Sequence, residues 1–120
     1  MNTRFIALLF TALFFGSARA GELWCSGTVQ TVSFHADNTY MIQLSSMNTR
    51  VFFCRPDATF TVPGITYSTA PETCRAHIAV FLTAKESGKT ISILFDGNDV
   101  PASCTGWANW NSAHIRHFLY

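Results

Sequence analysis

PETCRAHIAVFLTAKESGKTISILFDG, residues 71–97, changes its period partway through. Cys74, Ile78, Phe81, Leu82 and Lys85 stand at offsets of 0, 4, 7, 8 and 11, one stripe of a helix with 3.6 residues per turn. Thr69-Ala70-Pro71-Glu72 fits a capping box, in which the threonine hydroxyl accepts from a backbone N–H and the glutamate reaches back. Pro71 in the first turn costs no helical hydrogen bond. Gly88 suits a left-handed stop, with Lys85 and Lys89 at the negative end of the helix dipole. These signals predict a helix over 70–87, and TISILFD (90–96) then reads as a strand.

The rest of the chain reads as β-structure. In LWCSGTVQTVSF (23–34), Leu23, Cys25, Gly27, Val29 and Thr31 share one side, and the alternation slips near Thr31–Phe34 as a bulge would make it. HADN (35–38) is a turn, and TYMIQLSS (39–46) is a strand with Tyr40, Ile42 and Leu44 on one face. RVFFC (50–54) is a short apolar strand. RPDATFTVPGITYS (55–68) is an irregular loop with a Pro63-Gly64 turn. After the helix and the 90–96 strand comes a turn, GNDVPAS (97–103), and AHIRHFLY (113–120) is a last strand.

The order β-β-β-α-β-β predicts a mainly β (α+β) fold with one helix. Its architecture is expected to be a five-stranded oligonucleotide/oligosaccharide-binding (OB)-like barrel, with the helix between strands three and four. The helix is expected to plug the barrel's open end and cover an edge that would otherwise template aggregation.

Residues 1–20, MNTRFIALLFTALFFGSARA, carry Arg4 before an apolar run from Phe5 to Phe15 and close on Ala18-Arg19-Ala20. This is the pattern of a secretory signal peptide, and its run of 11 residues is too short for a membrane span. The exported chain is expected to be a single domain, 21–120, in the periplasm or outside a bacterial cell. Without Arg4 and Arg19, six Lys and Arg face seven Asp and Glu, a net charge of −1. No basic stripe remains to favour a nucleic-acid partner.

Cys25, Cys54, Cys74 and Cys104 all lie in the exported part, where two disulfides are the default. Four cysteines allow three pairings. The layout favours Cys54–Cys74, tying the third strand to the helix start across the Pro-rich loop, which leaves Cys25–Cys104. Spacings of 29, 20 and 30 residues do not resemble a zinc site.

No G-x-S-x-G, H-E-x-x-H, phosphate loop or C-x-x-C is present. A small hydrolase or nuclease could use His35, His114 and His117 with Lys85 or Lys89 as acid, base and anion stabiliser. Four histidines in a chain of this size supply such ingredients generically. His114 and His117 are three apart, a chelating spacing on a helix but not on a strand. The reading is therefore non-enzymatic, with no metal or cofactor.

CTGWANWNSAHIRHFLY (104–120) has more chemical character. Trp107 and Trp110, beside Asn109 and Asn111 in a loop, would present flat apolar faces and amide hydrogen bonds, the chemistry that suits a sugar. The alternative is that the tryptophans cap the barrel as core, the commoner fate of an indole. Seven phenylalanines of the exported chain suffice for a core without them.

FFC (52–54), Cys74, the passage AKESGKTISILFD (84–96) and Cys104 form a layout of aromatic-Cys strand end, loop, second Cys, helix and strand. It resembles the binding subunits of subtilase-cytotoxin and pertussis-like bacterial toxins. It also resembles small secreted proteobacterial proteins with the same helix–Gly-Lys–strand passage. The resemblance implies an OB fold, a disulfide-bonded exported chain, a ring of five copies and glycan binding. It supplies no sugar-contacting residue by position, and GWANW and HFLY have no counterpart in it. The expected partner is thus a glycan or an envelope or host protein. A monomeric periplasmic inhibitor using the 55–68 loop is the rival reading.

Overall fold

The computed structural model describes residues 21–120, and the expected leader, 1–20, lies outside the described residues. The alternating segment forms β1 (Gly21–Phe34), followed by β2 (Tyr40–Leu44) and β3 (Val51–Cys54). Then come the helix α1 (Pro71–Ser87), β4 (Thr90–Gly97) and β5 (His114–Leu119), so the expected element order holds.

The five strands make one antiparallel sheet in the order β3-β2-β1-β4-β5. β1 is long enough to serve two neighbours. Its first half pairs with β4 from Gly21↔Gly97 to Thr28↔Thr90, and its second half pairs with β2 from Val29↔Leu44 to Phe34↔Tyr40. The register slips between Val29 and Thr31, where one half gives way to the other, slightly earlier than the alternation suggests. The sheet is open and not a closed barrel. Edge strand β3 meets the segment leading into the other edge strand, β5, through an isolated parallel bridge, Phe52↔Ser112, made by Phe52 N–H to Asn111 O (3.0 Å) and Ala113 N–H to Phe52 O (2.9 Å).

The concave face of the sheet is the core. Cys25, Ile42, Leu44, Val51, Phe53, Ile93 and Phe95 are fully buried there. Burying each large apolar side chain is worth about 1.5–3 kcal/mol, so this face holds the sheet curled. Helix α1 spans the gap between the two edges. Phe81 stands 5.4 Å from Phe53 of β3 and 5.7 Å from Phe118 of β5, ring centre to ring centre. The buried helix stripe is Cys74, Phe81 and Ala84. Leu82, expected on that stripe, is about half exposed at 48%. It lies one residue round the helix from Phe81, and small Ala84 takes the inward place.

The helix start also differs from the capping box. Ala70 is the N-cap residue, with φ −70° and ψ 154°, and no side chain caps the first turn. Thr69 is buried, and its Oγ1 instead bonds His114 Nδ1 at 2.9 Å. A tertiary partner outcompetes the local one. The helix end agrees with expectation: Gly88 is left-handed (φ 65°), and its region returns N–H groups to Ala84 O and Lys85 O.

Both favoured disulfides are present, Cys25–Cys104 and Cys54–Cys74. The 55–68 loop is pinned as well. Phe60 and Thr69 exchange two backbone hydrogen bonds (3.0 and 2.9 Å), Asn98 N–H donates to Pro63 O (3.1 Å), and Arg75 Nη1 donates to Pro56 O (2.6 Å). Among the described residues, no helix is long and apolar enough to cross a membrane.

Candidate functional site

Two connections and β3 meet at one end of the sheet. The 35–39 turn is built by Asp37, whose Oδ1 accepts from Thr39 N–H at 3.0 Å and lies 3.2 Å from His35 Nδ1. These bonds, those from Thr39 foremost, hold the Asp37 carboxyl below its ordinary range. Asn38 completes the turn in a left-handed conformation (φ 65°), and its Nδ2 donates to Asp57 Oδ2 at 3.1 Å. Arg55 Nε in turn donates to Asp57 Oδ1 at 3.3 Å, tying the turn to the chain that leaves β3.

The second connection is the 98–113 segment. Trp107 anchors it, 3% exposed, with its ring 5.2 Å from Phe95 in an edge-on contact. Asn48 clamps the Trp107 backbone from both sides, donating to its O (2.7 Å) and accepting from its N–H (3.0 Å). Asn111 Oδ1 accepts from Ala108 N–H at 2.7 Å, which closes the loop on itself. Trp110 then adopts φ 67°, a conformation a bulky residue rarely takes, and stands 65% exposed. Its ring stacks on Phe52 at 5.9 Å and 23°, and His35 approaches it edge-on at 5.6 Å.

A cleft of about 400 Å³ opens beside this aromatic group. Phe52, Phe60 and Trp110 give it apolar walls, while Asp37, Arg55, Thr39, Thr59, Thr61 and Ser112 give it hydroxyls and one charge of each sign. A smaller recess that Trp110 also lines is formed with Met41, Thr49, Arg50 and Asn109. Trp110 therefore borders two recesses, and polar side chains line both. That combination has the chemistry to suit a ligand with a flat apolar patch and a hydroxylated rim.

The four residues singled out in the sequence thus separate. Trp107 is core and Asn111 is a loop clasp, while Trp110 and Asn109 face solvent. Phe52, Arg55 and Phe60 line the cleft, and His35 stands edge-on to its Phe52 and Trp110 walls; the sequence reading assigned none of the four to it. The His35-Ala36-Asp37 turn signal was legible, but its nearness to Trp110, 75 residues away along the chain, was not.

The histidines considered for hydrolysis lie apart. His35 touches Phe52 and Trp110, whereas His114 is fully buried against Tyr67 and Phe60. His117 is exposed on β5 opposite Leu94, and Lys89 lies over the Tyr120 ring at 3.7 Å. Among the described residues, no group of three or more His, Cys, Asp or Glu side chains is placed to hold a metal ion. No protein-family model matches the chain, and neither a curated protein nor a solved structure does.

Proposed function

We propose that this chain is an exported, non-enzymatic binding module with an OB-like fold, and that it takes a glycan on the Trp110 cleft. The observation that carries the reading is Trp110 itself. An indole is held out of the core in an unfavourable backbone conformation and stacked on Phe52, with hydroxyl and charged groups around it. Strained backbone of this kind clusters at functional sites, and Trp107 already fills the core three residues earlier. Sugar rings present C–H faces to an indole and hydroxyls to Thr, Asp and Arg, which matches this lining.

The position of the cleft supports the same reading. In OB folds, oligosaccharides and oligonucleotides bind across strands two and three and the loops joining strands 1–2 and 4–5. Phe52 lies on β3, His35 and Asp37 on the β1–β2 turn, and Trp110 on the β4–β5 connection. A net charge of −1 over residues 21–120 favours the oligosaccharide over the polyanion.

The test is a glycan array probed with the oxidised protein, followed by calorimetry on any hit. Trp110→Ala should lower affinity at least about tenfold while leaving the fold intact. An array blank for folded protein, or a hit indifferent to Trp110→Ala, would remove the assignment. Light scattering on the same sample reports the assembly. A five-chain mass would extend the reading to a ring, and a single-chain mass would leave a monomeric binder.

A further inference from the structure

A second cleft lies on the face of the sheet opposite the core and shares no lining residue with the Trp110 cleft. Asp96 on β4 is the register partner of Glu22 on β1 and of His114 on β5. Cross-strand partners leave a sheet on the same face, so two carboxylates stand side by side there. Like charges in that arrangement repel unless a cation is shared between them. Arg116 answers only one of them, with Nη1 2.5 Å from Glu22 Oε1.

Asp96 is the unusual member. It is 3% exposed, its Oδ2 accepts the Tyr67 hydroxyl, and its Oδ1 has no hydrogen-bond partner. An orphaned carboxylate oxygen in a buried position is costly and calls for a donor. His114 does not supply the charge. It is fully buried, and desolvation holds its imidazole below the ordinary range and therefore neutral near pH 7. Burial, with the Asp96 hydrogen bond, likewise keeps the Tyr67 hydroxyl protonated, so that it donates to Asp96 and brings no charge.

Asp96, Glu22 and Arg116 line a cleft of about 330 Å³, closed on its other side by Gly64, Thr66 and Tyr67. Two carboxylates and one guanidinium leave it one negative charge. We infer that this cleft binds a primary ammonium group, seated against Asp96 and Glu22. An ammonium brings three N–H donors and one positive charge, and so meets both the orphaned oxygen and the unbalanced carboxylate. A hard divalent cation fits less well, because it asks for six or more oxygens. The source of the ammonium can be a free small amine or a lysine side chain of a peptide.

The experiment is a titration of the isotope-labelled, oxidised protein followed by amide chemical shifts. The probes are n-butylamine, Nα-acetyl-lysine amide, and the same lysine derivative acetylated at Nε. For ligands of this size, saturation is expected at about 1–10 mM, with the shifts at Tyr67, Asp96 and Arg116. Tighter binding of the lysine derivative would identify a peptide lysine, and equal binding a free amine. Nε-acetylation should weaken binding at least about tenfold, as should Asp96→Asn and Glu22→Gln. Should Asp96→Asn fail to fold, the exposed Glu22→Gln decides. No saturable shift below about 100 mM, equal binding of the acetylated probe, or indifference of Glu22→Gln would overturn the inference. None of these probes is a sugar, and Trp110 lines neither this cleft nor its rim. Failure here therefore leaves the glycan reading standing, and the reverse holds too.

Discussion

Trp107 and Trp110 stand three residues apart with the same side chain, yet their expected mutational effects differ sharply. Trp107→Ala empties a core site against Phe95 and should cost about 3–5 kcal/mol, read by urea denaturation. Trp110→Ala removes a side chain that is 65% exposed and should change stability by no more than about 0.5 kcal/mol. A comparable loss at both positions would mean that Trp110 is structural. The loop's chemistry could be read from its residue types, but the two fates could not, because they depend on Phe95 and Phe52 across the fold. His77 and His114 make a second prediction at this scale. Desolvation keeps both rings neutral in the fold, below the ordinary value of 6.5 at which they protonate once unfolded. Below about pH 6.5 the unfolded chain therefore binds more protons, and stability falls as pH drops toward the folded-state values. His77 sits among Phe53, Phe81 and Phe118 with Nδ1 unpartnered. His77→Phe should accordingly flatten the loss, raising the melting temperature more at pH 5 than at pH 7.5.

At the scale of the element, α1 is held unequally at its two ends. Ala70 occupies an exposed N-cap with no side-chain hydrogen bond, so Ala70→Asp should stabilise the protein by about 0.5–1 kcal/mol. Gly88 ends the helix at φ 65°, and nothing lies within 4 Å of where a Cβ would stand. Gly88→Ala should therefore cost about 1 kcal/mol through backbone strain alone. Denaturation of the two variants checks both signs. A destabilising Ala70→Asp would show that the first turn is already satisfied. The helix body, the glycine stop and the following strand were readable because period and cap chemistry are local. Thr69 misled because its hydroxyl has a stronger claim from His114, 45 residues later in the chain.

In the whole molecule, the sheet curls round one core, with one disulfide tying the central strand β1 to the β4–β5 connection and the other tying β3 to α1. Cys25–Cys104 closes 79 residues and Cys54–Cys74 closes 20. On loop entropy alone the first should contribute about 4–5 kcal/mol and the second about 3 kcal/mol. Replacing Cys25 and Cys104 together by Ala should thus lower the urea midpoint more than replacing Cys54 and Cys74. The reverse order would point to the helix start as the weaker point of the fold. The amino-acid sequence by itself determined the elements, their order, the favoured cysteine pairing and the composition of the Trp-Asn loop, because each rests on spacing within a short window or on chain connectivity. Only the tertiary structure decided that the sheet stays open, that Trp107 is core while Trp110 is surface, that His35 and Phe52 join Trp110, and that Glu22 and Asp96 stand side by side. Those outcomes depend on register and burial between residues dozens of positions apart, and no local propensity encodes them.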